Sequence, residues 1–407
     1  MSILILNRLP AILTNYKEWL KDFDEDITLF TQNKHKNNYQ GLTHVEGFDN
    51  YIENHLIEVK AVEHFYKTNS FDTVIALDEV DIIRAARIRQ LLGIKGQNLD
   101  SAYFYRNKIQ MKNTLKDHVR CPNFKEISTM LDIDEFTDLN GLPVVIKPVD
   151  GMGGMDTFII NSVEELVETK EVIDLNAMNY MIESFVDGEM YSVDGLVIKD
   201  KIEFCSVSKY HNSVLVYKEN KGHSLELVSP KEEIFTKLKR FTEKIIEVSP
   251  NPEILVFHCE IFVNKDNELI FCEIASRLGG ARIPELIRQS YGINMEETYC
   301  RLLCNLKVDI PTNSDMLKHT AVYLIPKSNG KLISTIEKFP FDWVLEYQPY
   351  LSVGSESGKS ISSSDIFGTV IFEANNKDEL RERLDVLTKY TEENILWDEH
   401  KIGIEVQ

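Results

Sequence analysis

The chain has 407 residues, 43% of them hydrophobic, and its formal net charge at pH 7 is −20. This length exceeds what one hydrophobic core usually serves, so about two to four domains are expected, and the negative charge argues against nonspecific binding to nucleic acid or to an anionic membrane. No apolar run reaches the length of a transmembrane helix, and the first residues lack the basic start and apolar run of a signal peptide.

The first 100 residues alternate short apolar runs with amphipathic stretches. Strands are predicted at 3–6, 27–31 and 71–77, and helices at 11–22 and 78–92. Gly93 follows the second helix as an end signal. Strands that alternate with helices predict a parallel α/β domain, which we place at residues 1–100.

The rest of the chain changes repeatedly between helix and strand. Helices are predicted at 98–119, 232–247, 284–304 and 378–392, and strands dominate 143–160, 180–208, 256–275 and 321–325. We place the last boundary near Pro311. The expected architecture is a multidomain α/β and α+β protein, with further segments at 101–180, 181–311 and 312–407.

A glycine-rich turn is the most informative local feature. A β-branched strand ends in Lys147, and a turn containing Gly151, Gly153 and Gly154 leads to a second strand. Glycines let backbone N–H groups approach an anion closely, and the lysine adds positive charge, so a polyphosphate is the expected ligand. The order is neither a Walker A sequence nor a dinucleotide fingerprint. A hairpin turn without a ligand is the alternative.

Two acids interrupt a strongly apolar hairpin. A hairpin that closes over residues 264–267 places Glu260 about opposite Glu273. Opposed Cβ atoms lie about 5 Å apart, where like charges destabilise a sheet, so a cation between the acids is expected. Mg²⁺ fits best because it takes carboxylate oxygens and shares its other positions with phosphates and water. A register one residue off would send the acids to opposite faces.

Several neighbours of these acids are also chemically suggestive. His258 shares the face of Glu260, either as a buried structural histidine or as a substrate contact, whereas Cys259 and Cys272 are expected on the other face, in the core. None of the six cysteines forms a C-x-x-C motif, so buried reduced thiols in a cytoplasmic protein are expected.

A second glycine-containing segment follows the hairpin. Arg277 and Arg282 flank Gly279 and Gly280 just before a predicted helix. The guanidinium group matches phosphate or carboxylate geometry with a rigid fork, so an anion site is indicated here too. A surface loop with solvated arginines is the alternative.

Taken in order, these motifs resemble the ATP-grasp superfamily, which includes biotin carboxylase and the carboxylate–amine ligases. The resemblance covers about residues 1–310 and includes three further segments: residues 76–96, Arg106-Asn107-Lys108 with Met111-Lys112, and residues 180–195. It implies an ATP-grasp fold behind the N-terminal α/β domain, with a small subdomain at 101–180 and a large one at 181–311. Asn107, Met190 and Ala275 depart from the family pattern of Asp, Glu and Asn.

The resemblance also implies roles for individual residues. ATP would be bound by Lys108, Lys147, Gly151, Gly153, Gly154, Glu183 and Phe185, the last two at the adenine hinge. Glu260 and Glu273 would bind Mg²⁺, with Mn²⁺ as an alternative metal. Arg277 would meet the transferred phosphate, and Arg282 would hold a substrate carboxylate. Glu79 would either meet a substrate amine or serve as an acid at a helix N-terminus.

The implied reaction is amide formation. With Mg²⁺ present, ATP converts a carboxylate into an acyl phosphate and ADP. An amine then attacks the acyl phosphate and releases phosphate. Residues 258–260 and 277–285 look most like bacterial L-amino-acid ligases, which make dipeptides. The expected partners are therefore amino acids, without nucleic acid or membrane, and a homodimer is compatible with this family. A carboxylase acting on bicarbonate and a noncatalytic nucleotide-binding protein are the alternatives.

Overall fold

The structure, a computed structural model, describes residues 2–68, 71–212, 215, 219, 221–312 and 316–398. Its strands are β1 (Ile3–Asn7), β2 (Ile27–Gln32), β3 (His44–Phe48), β4 (Thr73–Ala76), β5 (Phe124–Ile127), β6 (Val144–Pro148), β7 (Phe158–Ile160), β8 (Tyr180–Ser184), β9 (Gly188–Ile198), β10 (Lys201–Tyr210), β11 (His223–Leu227), β12 (Ile254–Asn264), β13 (Leu269–Ala275), β14 (His319–Ile325), β15 (Gly330–Ser334), β16 (Val344–Pro349), β17 (Glu356–Ser357), β18 (Gly368–Ala374) and β19 (Leu396–Asp398). Its helices are α1 (Tyr16–Trp19), α2 (Leu56–Thr68), α3 (Ile82–Leu92), α4 (Leu99–Phe104), α5 (Lys108–Leu115), α6 (Met130–Asn140), α7 (Val163–Val172), α8 (Glu233–Val248), α9 (Ile283–Tyr291), α10 (Met295–Leu303) and α11 (Lys377–Asn394). Among these helices none is long and apolar enough to cross a membrane.

The first sheet has the order β3-β2-β1-β4, and all its pairings are parallel. Successive side chains of β1 enter two cores: Leu4 and Leu6 pack with α2 and α3, whereas Ile3 and Ile5 share a core with Cys300 of α10. The predicted parallel α/β arrangement is therefore confirmed. Two elements of this domain, β3 and α2, were not predicted. Strand β3 is mostly half-buried and lacks a clear apolar alternation.

The helix predicted over residues 11–22 is wrong in extent, since only Tyr16–Trp19 is helical. Pro10 begins a turn, and its carbonyl accepts hydrogen bonds from the backbone N–H groups of Leu13 and Thr14. Asn15 then caps the short helix by accepting from the backbone N–H of Glu18. These local hydrogen bonds compete with a longer helix.

The helix predicted over residues 284–304 is two helices. Gly292 ends α9 in the left-handed region, with φ 71°, a conformation that glycine adopts at little cost. Asn294 then caps α10 by accepting from the backbone N–H of Glu297.

The second sheet is antiparallel and has the order β5-β8-β6-β7. Strands β6 and β7 form the hairpin around the glycine-rich turn, with Ile146 opposite Phe158. Ile146 and Ile182 pack into a core beneath α6 and α7. Because side chains alternate along β6, Lys147 projects to the opposite face.

The third sheet has eight antiparallel strands, in the order β13-β12-β9-β10-β11-β14-β18-β16. Helix α8 covers one face, and α9 and α10 cover the other. Strand β14 lies beyond the proposed boundary near Pro311 and pairs with β11. The segment after residue 311 therefore extends this sheet, while β15, β17 and β19 form a small sheet of their own.

Candidate active site

A cleft between the second and third sheets collects the predicted binding residues. Its lining includes every residue predicted to bind ATP or metal: Lys108, Lys147, Gly151, Gly153, Gly154, Glu183, Phe185, Glu260 and Glu273. Arg277 and Arg282, the predicted catalytic arginines, lie outside the lining. The fold thus joins motifs that are far apart in the sequence, but the two arginines are not among the residues that line this cleft.

The turn between β6 and β7 has a glycine-dependent backbone. Gly153 and Gly154 have left-handed φ angles of 63° and 70°, which side chains disfavour. Lys108 Nζ donates to the carbonyl of Gly151 over 2.7 Å. The carbonyl of Gly153 accepts from the backbone N–H of Ser363 over 3.1 Å. The turn is therefore held on one side by α5 and on the other by the C-terminal segment.

Two buried lysines share one buried acid at the cleft. Lys147 Nζ lies 2.6 Å from one oxygen of Glu183, and Lys112 Nζ lies 3.2 Å from the other. Burial raises the pKa of Glu183, but the two lysines outweigh it and lower that pKa overall. Burial lowers the pKa of Lys147, but Glu183 and other acids raise it above its ordinary value. Two cations with one anion suit a negatively charged ligand.

The two predicted metal ligands face one another. Glu260 pairs with Glu273 across β12 and β13, as the sequence predicts, and a β-bulge between Glu260 and Ile261 sets this pairing. Lys108 Nζ lies 3.1 Å from Glu273 Oε2. Burial raises the pKa of Glu273, but Lys108 and other cations lower it to about 2. Ionised carboxylate oxygens are the donors that Mg²⁺ prefers, so the pair fits this ion.

Cys272 also lines the cleft, which contradicts its predicted place in the core. A β-bulge beside Glu260 leaves Cys272 as an extra residue of β13 and turns its side chain toward the acids. One ligand atom each of Glu260, Cys272 and Glu273 lies within 4.8 Å of the others. Burial raises the pKa of the Cys272 thiol to about 12. The thiol therefore stays protonated, and the two carboxylates are the anionic metal donors of this group. Cys259 is in the core, as predicted.

His258 is buried between two acids. Its Nδ1 lies 2.8 Å from Asp194 Oδ1, and its Nε2 lies 3.3 Å from Glu260 Oε1. Burial lowers the pKa of His258, but Asp194 and Glu260 raise it to about 10. Asp194 also accepts from the backbone N–H of Gly279 over 2.9 Å. This position fits the structural interpretation, because His258 ties the acid hairpin to the turn before α9.

Arg277 follows β13 and pairs through Nε with Glu79. The other oxygen of Glu79 lies 2.5 Å from Arg106 Nη1. Burial lowers the pKa of Arg277, but Glu79, Glu273 and Glu260 raise it overall. The guanidinium is therefore within electrostatic reach of the two facing acids, although it lies outside the cleft lining.

Arg282 belongs to a different ion-pair group. It precedes α9 with a left-handed φ of 64°. Its Nη2 lies 2.6 Å from Glu346 on β16, its Nε lies 2.8 Å from Glu285, and its Nη1 donates to Thr369 Oγ1 over 3.1 Å. Any anion that binds Arg282 must therefore compete with two carboxylates.

The end of the cleft near Phe185 is apolar. Its lining there includes Val145, Ile159, Phe185, Met190 and Phe262. Phe185 is 38% exposed and follows β8 directly. Because the carboxylate of Glu183 is engaged by lysines, this end of the cleft offers a ligand mainly apolar side chains. Met190, where the family pattern has Glu, adds to the apolar surface.

His223 was not singled out from the sequence. It lies buried on β11, with its ring centroid 5.5 Å from that of Tyr210. Neither of its ring nitrogens has a hydrogen-bond partner among the described residues, and burial lowers its pKa to about 4. An unpaired buried imidazole is uncommon in folded proteins. The available signal was a histidine next to the apolar alternation of residues 225–228.

Comparison with known proteins identifies the fold. Residues 105–281 match the family model described as ATP-grasp domain. The chain is 26% identical over 350 residues to the L-arginine-specific L-amino acid ligase of Bacillus subtilis, covering 83% of each chain. The structure of an L-amino acid ligase from Bacillus licheniformis superposes with a TM-score of 0.76 at 18% identity, covering 97% of this chain and 98% of that one. The biotin carboxylase domain of the Hydrogenobacter thermophilus 2-oxoglutarate carboxylase gives 0.73 at 12% identity, covering 97% and 91%. The chain therefore contains an ATP-grasp domain and has the ATP-grasp fold.

Proposed function

We propose that this ATP-grasp protein is an ATP-dependent ligase that joins a carboxylate to an amine. A carboxylate oxygen attacks the γ-phosphorus of ATP and gives an acyl phosphate and ADP. The amine then attacks the acyl carbon, forms the amide and expels inorganic phosphate. The observation that carries this proposal is the cleft, where lysines, a glycine turn and paired acids meet.

The chemistry of the cleft suits phosphoryl transfer, which depends mainly on positioning and on neutralising charge. We assign Lys108, Lys147 and the backbone N–H groups of the glycine turn to the phosphates of ATP. The apolar end near Phe185 would take the base. No covalent nucleophile is needed, because the acyl phosphate itself is the activated intermediate.

Glu260 and Glu273 would hold Mg²⁺, or Mn²⁺ as an alternative hard ion. When bound, the metal ion neutralises phosphate charge and links the protein to the nucleotide. Lys108 contacts both Glu273 and the glycine turn. It would therefore keep the acid ionised and hold the turn close to the metal ligands.

We propose amino acids as both substrates, because two of the similar proteins are named L-amino acid ligases. The carboxylate of the acyl donor would approach the phosphates near Arg277. Arg282 would bind a substrate carboxylate by exchange with Glu346, which lies 2.6 Å away. The side-chain preference of each substrate would depend on pocket shape.

A screen of amino-acid pairs tests the proposal. The purified protein is incubated with Mg·ATP and each pair, released phosphate is measured, and products are identified by mass spectrometry. We expect phosphate release only when both a carboxylate and an amine are supplied, with one amide formed per phosphate. Release driven by bicarbonate alone would favour a carboxylase, and no release with any substrate would favour a nucleotide-binding protein.

A further inference from the structure

We propose that Glu79 is a positioning residue for this reaction, which fixes Arg277 beside the reacting phosphate and holds Arg106 on the glycine turn. The inference rests on the proposed function, because it takes Arg277 as the cation that meets the transferred phosphoryl group. Glu79 would act through the two arginines and not by contact with substrate.

Glu79 stands at a junction of three parts of the chain. Glu79 lies in the short 3-10 turn Glu79–Asp81, which follows β4 of the first sheet, and is only 6% exposed. Asp78 fixes this turn by accepting from the backbone N–H of Val80 over 3.2 Å. The backbone thus holds the carboxylate at the end of the first sheet, where it contacts Arg106 and Arg277.

Each oxygen of Glu79 binds a different arginine. Oε1 accepts from Arg106 Nη1 over 2.5 Å, and Oε2 accepts from Arg277 Nε. Arg106 Nη2 donates onward to the carbonyl of Asp150, at the base of the glycine turn, over 2.5 Å. Arg277 Nη1 donates to the carbonyl of Leu278 over 2.8 Å. One carboxylate therefore connects the glycine turn with the segment that follows the acid hairpin.

This arrangement leaves part of Arg277 for a ligand. Its Nε and Nη1 are engaged, whereas Nη2 has no partner among the described residues. The nearby Glu273 and Glu260 contribute to the electrostatic environment of the guanidinium. With two nitrogens fixed, the planar guanidinium has little freedom, so its third nitrogen is already oriented when charge develops on the phosphoryl group.

Charge balance explains why an acid is needed between the arginines. Burial opposes ionisation of Glu79, but Arg277 and Arg106 outweigh it and lower its pKa. A neutral side chain would leave two guanidinium groups without an anion between them, and like charges in a poorly solvated site repel strongly. Glutamine also presents an N–H₂ group, which cannot accept from a guanidinium donor.

The sequence also allowed Glu79 to bind a substrate amine. Both oxygens of Glu79 are already engaged by guanidinium groups, which argues for the positioning role. The two roles differ in their kinetic signature. Loss of an amine contact would raise KM for that substrate, whereas misplacement of Arg277 would lower kcat while ATP affinity is kept.

Three variants of the full chain test the proposal: Glu79→Gln, Arg277→Gln and the double variant. We expect Glu79→Gln to lower kcat about 100-fold, as loss of one oriented donor does, with the KM for ATP and amino acids within about 3-fold of wild type. The double variant should lose much less than the product of the two single losses, because part of the effect of Glu79 is exerted through Arg277. Glu79→Asp, which keeps the charge, should recover part of the rate.

Asp81→Asn is the matched structural control. Asp81 lies in the same turn and pairs with Arg84 instead of the two arginines near the cleft. This control should change thermal stability but keep kcat. Independent, multiplying rate losses for Glu79 and Arg277, or a raised amine KM with unchanged kcat, would overturn the proposal.

A measurement without substrates separates this inference from the proposed function. Thermal unfolding of the four members of the Glu79 and Arg277 cycle should be strongly nonadditive, whatever reaction the protein catalyses. Additive stability losses would refute the Glu79–Arg277 link itself. If the stability cycle is nonadditive but wild type releases no phosphate with any pair, the proposed function fails and the positioning role in catalysis fails with it.

Discussion

The proposed nucleotide end and the proposed substrate end of the site are built differently. At the nucleotide end, the lysines, glycines and acids line one cleft and contact each other directly. At the substrate end, Arg277 is bound to an acid of the first sheet, and Arg282 is bound to acids of α9 and β16. We therefore expect changes at the first end to abolish nucleotide use, and changes at the second to alter catalysis or substrate affinity.

The largest effect is expected for Lys147→Ala. This change removes a cation proposed to bind phosphate, and it leaves buried Glu183 paired with Lys112. Turnover should fall by at least about 1,000-fold, with weaker Mg·ATP binding by calorimetry. The control is Lys125→Ala, which removes a half-buried lysine of β5 that pairs with Asp132 and Glu135 and should leave activity normal. Normal turnover in Lys147→Ala would remove the basis for the nucleotide end.

The next effect concerns the facing acids. Glu260→Gln and Glu273→Gln should each raise the Mg²⁺ concentration for half-maximal activity about 10- to 100-fold, since each removes an anionic oxygen donor. Titration of activity with Mg²⁺ measures this. Unchanged metal dependence in both variants would show that the pair is structural.

Arg282→Ala should have a smaller effect, confined to substrate affinity. If Arg282 binds a substrate carboxylate, its loss should raise that KM about 10-fold with little change in kcat. Glu346→Gln is the informative partner variant, because it removes a competing anion. It should lower the same KM. A raised KM in both variants would instead mean that the Arg282–Glu346 pair has a structural role.

The smallest expected effect is on pH-dependent stability. The pKa of Glu183 is lowered in the folded state, so its ion pairs stabilise the protein above the unfolded value of about 4.3 and this contribution is lost as pH falls further. Wild type should therefore exceed Glu183→Gln in Tm at pH 7, and the difference should shrink below about pH 4. A difference that grows on acidification would contradict the ion pairs.

The elements of the proposed nucleotide end could largely be predicted from the sequence. The strand before Lys147, the glycine turn and the hairpin of Glu260 and Glu273 are local patterns, so their element types followed from spacing. The pairing of Glu260 with Glu273 itself depends on a β-bulge between Glu260 and Ile261. Cys272 was placed on the wrong face because a β-bulge breaks strict alternation. Spacing gives no warning of such a bulge.

The substrate end depends on long-range contacts. Glu79 and Arg277 are separated by 198 positions in the chain, and Arg282 meets Glu346 of a strand beyond residue 311. The continuation of the third sheet by β14 also depends on a distant pairing with β11. The local sequence shows that these residues are charged and lie near predicted turns, but it does not specify which distant residues they contact.

The most direct test of the central claim uses isotopic oxygen. The preferred acyl donor is labelled with ¹⁸O in both carboxylate oxygens and incubated with Mg·ATP, the amine and the protein, and the released phosphate is analysed by mass spectrometry. An acyl phosphate route transfers one labelled oxygen to phosphate and leaves the other in the amide. Unlabelled phosphate, with amide formed, would contradict activation of the carboxylate by phosphoryl transfer.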